Sequence, residues 1–208
     1  MSETLQHLLG ALQREGIADP RVLDAIARVP REAFISDAEL RAHAYANEAL
    51  PIECEQTISQ PFIVAYMTER LHLAPDIEVL EIGTGSSYQA AILSLLARHV
   101  YTIECHLELH RLALKRFAQL GLANITALHG DGTKGWPGGR LFERIIVTAG
   151  TDEVPAVLMD QLAPGGLMVV PLGRHDTQRI TLISRSNGRL TYQPLIPVRF
   201  VPLLPDGD

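Results

Sequence analysis

The run Glu81-Ile82-Gly83-Thr84-Gly85-Ser86-Ser87 puts a carboxylate, two glycines and a row of hydroxyls in one short stretch, an arrangement suited to holding a small polar molecule against the backbone. Gly83 and Gly85 can take positive φ and have no Cβ, so a ligand can come close to the main chain there. Amides that open a helix after such a turn are expected to be free donors, and they favour an anionic group by roughly 0.3–1 kcal/mol. Glu104 stands roughly 20 residues beyond the glycines, where a carboxylate can accept both hydroxyls of a ribose. Asp131, in Gly130-Asp131-Gly132, could accept a hydrogen from an adenine amino group or cap its own turn. Singly, Glu104 also reads as a solvated acid; at consecutive strand ends the two acids together favour a nucleoside.

Strands and helices must carry these residues. Large or β-branched residues before the glycines and small ones over 89–97 give a strand, a tight turn and a helix. From residue 76 the pattern alternates, with strands over 77–82, 100–104, 125–129, 144–148 and 167–171 and helices over 107–120 and 155–162. Alternation of this kind implies a parallel sheet with right-handed crossovers and helices on both faces, with ligands at the carboxyl ends where strand order reverses. Asn187-Gly188 lies between alternating segments over 179–184 and 190–193, a hairpin signal, so the sheet is expected to end antiparallel. Upstream, Leu5, Leu8, Leu9 and Leu12 keep helical spacing until Gly16. Asp19 caps a second helix that opens at Pro20, buries Val22, Ile26 and Val29, and closes at Pro30. Residues 31–50 read as polar and partly helical. Residues 51–61, rich in Pro, Thr, Ser and Gln, read as an irregular surface loop before a helix bearing Ile63, Val64, Met67 and Leu71.

Composition narrows the function. At 208 residues the chain is expected to form one domain, and a net charge of −6 argues against a bulk electrostatic grip on nucleic acid. Met1-Ser2-Glu3-Thr4 lacks the basic start of a secretory signal, and no uncharged apolar stretch reaches the roughly 18–20 residues of a membrane span, so a cytoplasmic protein without a membrane partner is expected. Cys54 and Cys105 form no Cys-x-x-Cys pair, and glutamates on both sides of Cys54 should raise its thiol pKa. His106 and His110 lie i, i+4 with Glu108 between, but the order is not His-Glu-x-x-His and no third ligand is evident; a solvated helix face is expected and no metal. Trp136 and Tyr88 could stack on adenine or pack in the core.

Absent features exclude rivals of the glycine turn. A dinucleotide fingerprint wants a third glycine where Tyr88 stands, a phosphate loop wants Gly-Lys-Ser or Gly-Lys-Thr, and a hydrolase elbow wants Gly-x-Ser-x-Gly. Glu-x-Gly-x-Gly followed by an acid at the next strand end is similar to the pattern of class I S-adenosylmethionine (AdoMet) methyltransferases. Gln56-Thr57-Ile58-Ser59-Gln60-Pro61-Phe62, Tyr88-Gln89-Ala90-Ala91, Gly130-Asp131-Gly132 and Pro197-Val198-Arg199-Phe200-Val201-Pro202-Leu203 add a more specific likeness. So do Val29-Pro30-Arg31-Glu32-Ala33-Phe34 and Gln161-Leu162-Ala163-Pro164-Gly165-Gly166. Together these motifs resemble the protein-L-isoaspartate O-methyltransferase family along nearly the whole chain.

The resemblance implies an α/β, Rossmann-like, doubly wound, mostly parallel sheet with an antiparallel C-terminal hairpin and N-terminal helices. It implies one domain over 1–208, in which 1–75 is a helical cap with the substrate loop and 76–208 the core. The implied activity is methyl transfer from AdoMet, leaving S-adenosyl-L-homocysteine, to the free α-carboxylate of L-isoaspartyl residues in damaged proteins and peptides; the ester then cyclises to a succinimide unaided. Isoaspartyl proteins are the implied partners, with no nucleic acid and no membrane, and a monomer is expected. Ser59 is implied as the active-site residue, with Thr57 and Ile58 shaping its loop and Val198, Arg199, Phe200 and Val201 lying beside the substrate. For the cofactor the resemblance implies Glu81, Gly83, Thr84, Gly85, Ser86 and Ser87 at the methionine part, Glu104 at the ribose, and Asp131 with Gly132 at the adenine. A methyltransferase for another carboxylate or small molecule, and a non-catalytic AdoMet or S-adenosylhomocysteine binder, are the alternatives.

No general base is needed for such a reaction. A carboxylate near pKa 4 is already ionised at pH 7, and positive sulfonium and negative carboxylate partly neutralise as the methyl moves, so alignment and a water-poor pocket suffice. The chain departs from the family pattern in places. Ser87 stands where relatives usually have glycine, at a cost of roughly 1–2 kcal/mol if its φ is positive. Glu53-Cys54-Glu55 replaces Gly-His-Gly or Gly-His-Asn, and each acid would repel an incoming carboxylate by about 1 kcal/mol unless it faces solvent. Thr133 replaces an aromatic, and Gly150-Thr151-Asp152 a small apolar stretch.

Overall fold

The computed structural model describes residues 3–174 and 176–205. Its N-terminal part packs α1 (Glu3–Arg14), α2 (Pro20–Arg28), a 3-10 turn (Arg31–Phe34) and α3 (Ala38–Arg41) against α4 (Pro61–Arg70). Asp19 caps α2 as expected, its side chain accepting from the Arg21 amide, and Pro20 opens the helix where a missing N–H costs nothing. Val22, Ile26 and Val29 are buried.

Between α3 and α4 the expected irregular loop is instead a short hairpin, β1 (Leu50–Pro51) paired antiparallel with β2 (Thr57–Ile58). Cys54 and Glu55 both take φ +57°, and the Ile52 amide donates to the Gln56 carbonyl across the turn. A hairpin whose left-handed positions hold Cys and Glu rather than Gly or Asn carries no turn signature, which is why composition alone hides it.

The main sheet has seven strands: β3 (Glu78–Ile82), β4 (His99–Glu104), β5 (Ile125–His129), β6 (Phe142–Val147), β7 (Leu162–Leu172), β8 (Arg179–Ser186) and β9 (Arg189–Pro197), in the order β5-β4-β3-β6-β7-β8-β9. The pairs from β5 to β7 are parallel, while β7–β8 and β8–β9 are antiparallel, so the fold is the expected Rossmann-like doubly wound sheet with an antiparallel end. Along β3, Val79 packs with one core cluster and Leu80 and Ile82 with the other; Ile146 and Val169 join the first, Ile145, Val147, Met168 and Val170 the second. Successive side chains point to opposite faces, so an all-apolar strand is one covered on both sides. α5 (Tyr88–Ser94) and α6 (Leu107–Gln119) cross over around β4, and α7 (Ala156–Gln161) precedes β7.

Several boundaries differ from expectation. α5 ends at Ser94, three residues early, where the Ser94 hydroxyl donates to the Ala91 carbonyl and competes with the helix ladder. β7 begins at Leu162 and runs through Ala163-Pro164-Gly165-Gly166, with a register shift opposite Phe142 and Arg144 that lets proline and glycines sit in a strand. β9 extends to Pro197 rather than stopping at 193.

Candidate active site

β3 has β4 on one side and β6 on the other, so its carboxyl end is the switch point of the sheet. There the chain turns through Gly83 (φ +94°) and Gly85 (φ +51°) into α5. A Cβ on Gly83 would meet Thr148 Oγ1 at 2.6 Å, whereas one on Gly85 would meet nothing within 4 Å. The first glycine is therefore required by the neighbouring strand end, and the second faces open space where a ligand can lie against the backbone.

Three amides around this turn are already engaged, where free donors were expected. The Gly85 amide donates to Glu104 Oε2 at 2.7 Å, the Ser87 amide to the Thr84 carbonyl at 2.7 Å, and the Tyr88 amide to Ser86 Oγ at 3.2 Å. Side chains of Glu104 and Ser86 thus occupy two of the donors an anion could use. The Glu104 carboxylate, buried at the tip of β4, also accepts from the His106 amide through Oε1 at 3.0 Å. Among the described residues Glu104, Cys105 and His106 bring their donor atoms within 4.8 Å of one another, but both Glu104 oxygens are already engaged by amides. His106 opens α6, and His110 lies against His129 with ring centres 5.8 Å apart, so the expected solvated face is partly covered.

Ser59 follows β2 and lines, with the glycine turn, one cavity open to solvent. Its lining includes Thr57, Ile58 and Ser59 on one side, Gly83, Thr84, Gly85, Ser86, Glu104 and Gly132 on the other, and Phe200 and Val201 at the rim. Apolar walls come from Ile82, Ile103, Leu109 and Met67. The rim is tied down by pairings that sequence reading missed. Gly150 bonds both ways to the closing segment, its amide to the Val201 carbonyl and its carbonyl to the Leu203 amide, each at 2.7 Å. Gln178 receives the Phe200 amide at 2.7 Å, and its side chain lies so near Gly150 that a Cβ there would come within 2.2 Å. Glycine at 150 in place of an apolar residue thus permits this contact.

A family model for protein-L-isoaspartate(D-aspartate) O-methyltransferase matches residues 3–207. The chain belongs to this family. It is 53% identical over 205 residues to the Parvibaculum lavamentivorans protein-L-isoaspartate O-methyltransferase, covering 97% of this chain and 91% of that one. A solved protein-L-isoaspartate O-methyltransferase superposes with a TM-score of 0.86 at 28% identity over 95% of this chain, which spans 65% of that longer one. A Plasmodium falciparum relative solved in complex with S-adenosyl-L-homocysteine superposes with a TM-score of 0.83 at 26% identity, covering 95% of this chain and 97% of that one.

Not every residue singled out for the family's site reaches the cavity. Glu81 lies wholly buried beneath the turn, with Thr102 donating to its Oε2 at 2.5 Å and no partner on Oε1. Ser87 is buried behind the turn, its hydroxyl donating to the Ser86 carbonyl. Asp131 turns its carboxylate to the Thr133 amide at 2.8 Å and to Lys134 at 3.2 Å; burial would raise its pKa, but these donors outweigh it and hold the carboxyl below its usual range. It caps its own turn, the second of the two readings, and Gly132 alone lines the cavity. Val198 and Arg199 lie in an adjoining groove with Glu15 and Phe62, and Thr57, Ser59 and Phe200 line both spaces. Glu55 faces solvent, while Glu53 is half-buried toward Arg116. Tyr88 is buried edge-on to Phe34 while also lining the cavity, and Trp136 packs edge-on to Tyr101. Burial raises the Cys54 thiol, and Glu108, Glu104 and Glu53 add to it, leaving an unreactive thiol.

Two consequences are measurable. Ser87 takes φ +67°, which costs a non-glycine residue about 1–2 kcal/mol, while glycine would lose about 0.5–1 kcal/mol through the flexibility of the unfolded chain. Ser87→Gly should raise the unfolding free energy by about 0.5–1 kcal/mol in a urea titration; unchanged or lower stability would contradict the strain. Burial, opposed by the Thr102 hydroxyl and reinforced by Glu104, pushes Glu81 from its ordinary 4.5 up to about 8. An acid that binds its proton more tightly when folded makes the folded state lose stability as pH rises between those values. Glu81→Gln should flatten that decline in melts at about pH 5 and about pH 8.5, and identical pH slopes for parent and variant would refute it.

Proposed function

We propose that this chain transfers a methyl group from AdoMet to the α-carboxylate of L-isoaspartyl residues in proteins and peptides, within the cavity between the glycine turn and the Ser59 segment. The observation that carries the reading is the meeting of Thr57, Ile58 and Ser59 with Gly83, Gly85 and Glu104 around one space. The donor set suits AdoMet: a buried carboxylate at a strand tip for the ribose hydroxyls, a glycine facing open space, and apolar walls for the adenine. When bound, that cofactor supplies an electrophilic methyl on a sulfonium.

The residues of the chain then have distinct tasks. Glu104 accepts from the ribose, and Gly83 to Gly85 with Thr84 and Ser86 bound the remainder of the cofactor. The Ser59 hydroxyl donates to one oxygen of the incoming α-carboxylate and turns the other toward the methyl, leaving the substrate's own charge to act as nucleophile. Thr57 and Ile58 fix the segment that carries Ser59. Phe200 and Val201 close the rim and limit water, while Val198 and Arg199 border the groove through which a peptide extends. Asp131 and Glu81 act one layer back, shaping the adenine-side turn and the glycine turn from below.

The chain works as one domain, 1–75 capping and 76–208 binding the cofactor. Its acidic balance fits a cytosolic enzyme for peptides rather than nucleic acid, and among the described residues no helix is long and apolar enough to cross a membrane. Incubation with radiolabelled AdoMet and an isoaspartyl peptide should give a base-labile methyl ester, and the aspartyl isomer should give none. Equal labelling of both peptides, or calorimetric AdoMet binding without ester formation, would reject this reading.

A further inference from the structure

Among the described residues Arg31 is the largest fully buried side chain, and its guanidinium hydrogen-bonds to backbone carbonyls and to no carboxylate. Nη1 donates to the Ala44 carbonyl, and Nη2 to the Glu48 carbonyl at 3.0 Å and the Ser59 carbonyl at 3.2 Å. A buried cation without a hydrogen-bonded counter-ion is costly, so a planar fork spanning three carbonyls marks a position whose geometry matters. The same segment reaches the opposite wall of the cavity. Phe34 packs edge-on against Tyr88, the first residue of α5, with ring centres 5.3 Å apart. Two residues further, Ser36 Oγ accepts from Arg116 Nη2 at 3.1 Å, while Arg116 Nη1 donates to the Ser86 carbonyl at 3.2 Å.

We propose that residues 31–36 act as a gauge setting the separation between the Ser59 segment and the glycine turn, with Arg31 as the positioning residue that holds Ser59 in reach of the transferred methyl. Arg31 touches neither substrate, and its effect passes through the Ser59 backbone. Nothing in the reaction uses its charge. This inference rests on the role given to Ser59 above, and the test separates the two.

Lysine keeps the charge but offers a single point in place of a fork. Arg31→Lys should lower kcat for an isoaspartyl peptide by about 10-fold or more, since small misplacements of reacting groups cost up to about 100-fold. Calorimetric affinity for S-adenosyl-L-homocysteine should stay within about 2-fold, because the glycine turn itself is untouched. In a Ser59→Ala background the same substitution should cost less than about 3-fold, the signature of two residues acting through one contact. An equal loss in both backgrounds, or a collapse of S-adenosyl-L-homocysteine binding, would overturn the gauge. Ser59→Ala as active as the parent would instead overturn the role of Ser59. Phe34→Leu, an apolar exchange that loosens the contact with Tyr88 at the other end of the segment, should likewise cost less kcat in the Ser59→Ala background than in the parent, and it decides the matter if the lysine variant does not fold.

Discussion

Replacing Ser59 by alanine lowers kcat for an isoaspartyl peptide by about 10- to 100-fold and leaves the Kd for S-adenosyl-L-homocysteine within about 2-fold. The size follows from one hydrogen bond to a charged oxygen, worth about 1.5–3 kcal/mol, with no new cavity of consequence. Ser59 stands on the segment after β2, across the cavity from the glycines, so its hydroxyl can serve the acceptor without serving the donor. Steady-state kinetics with a purified isoaspartyl peptide, paired with calorimetry, separates the two effects. A large loss of cofactor affinity would place Ser59 on the wrong side of the reaction.

Glu104→Gln has the largest expected effect on the cofactor, with affinity for S-adenosyl-L-homocysteine falling by about 10- to 100-fold, since the amide keeps one acceptor and loses one hydrogen bond to a carboxylate oxygen, worth about 1.5–3 kcal/mol. In the free protein the Gly85 and His106 amides each point at one oxygen of Glu104. An amide side chain keeps one acceptor and turns an N–H toward a backbone N–H at the other, so the turn itself loses a partner. Thermal denaturation should therefore show a small loss of stability beside the large loss of binding. Unchanged affinity for S-adenosyl-L-homocysteine in calorimetry would remove Glu104 from the site.

The glycine turn and the alternation of strands were legible because Gly83 and Gly85 end a run in which Ile77, Val79, Leu80 and Ile82 are large and apolar on both faces, as a strand covered on both sides requires. The hairpin at Asn187-Gly188 was legible for the same reason, through the left-handed residues it needs; Asn187 has φ +50° and Gly188 φ +74°. The hairpin that leads into Ser59 was not, since Cys54 and Glu55 hold its left-handed positions. Ser59 itself is singled out by family likeness and not by periodicity, because one serine in a short segment has no pattern of its own. Asp131 shows the limit of counting acids at strand ends: the residue was correctly placed, but where its carboxylate points is decided by Thr133 and Lys134, partners that lie inside its own turn. Arg31 stood in a recognisable motif, yet only the fold brings the Ser59 carbonyl to it from 28 residues away.

Residues 200–203 wall the cavity yet follow every strand in the order of synthesis, and they are fastened to Gly150 and Gln178, which come earlier. A wall fastened to the segments between β6 and α7 and between β7 and β8 moves with them, so loosening the Gly150 or Gln178 pairs would let water into the cavity while the sheet stays intact.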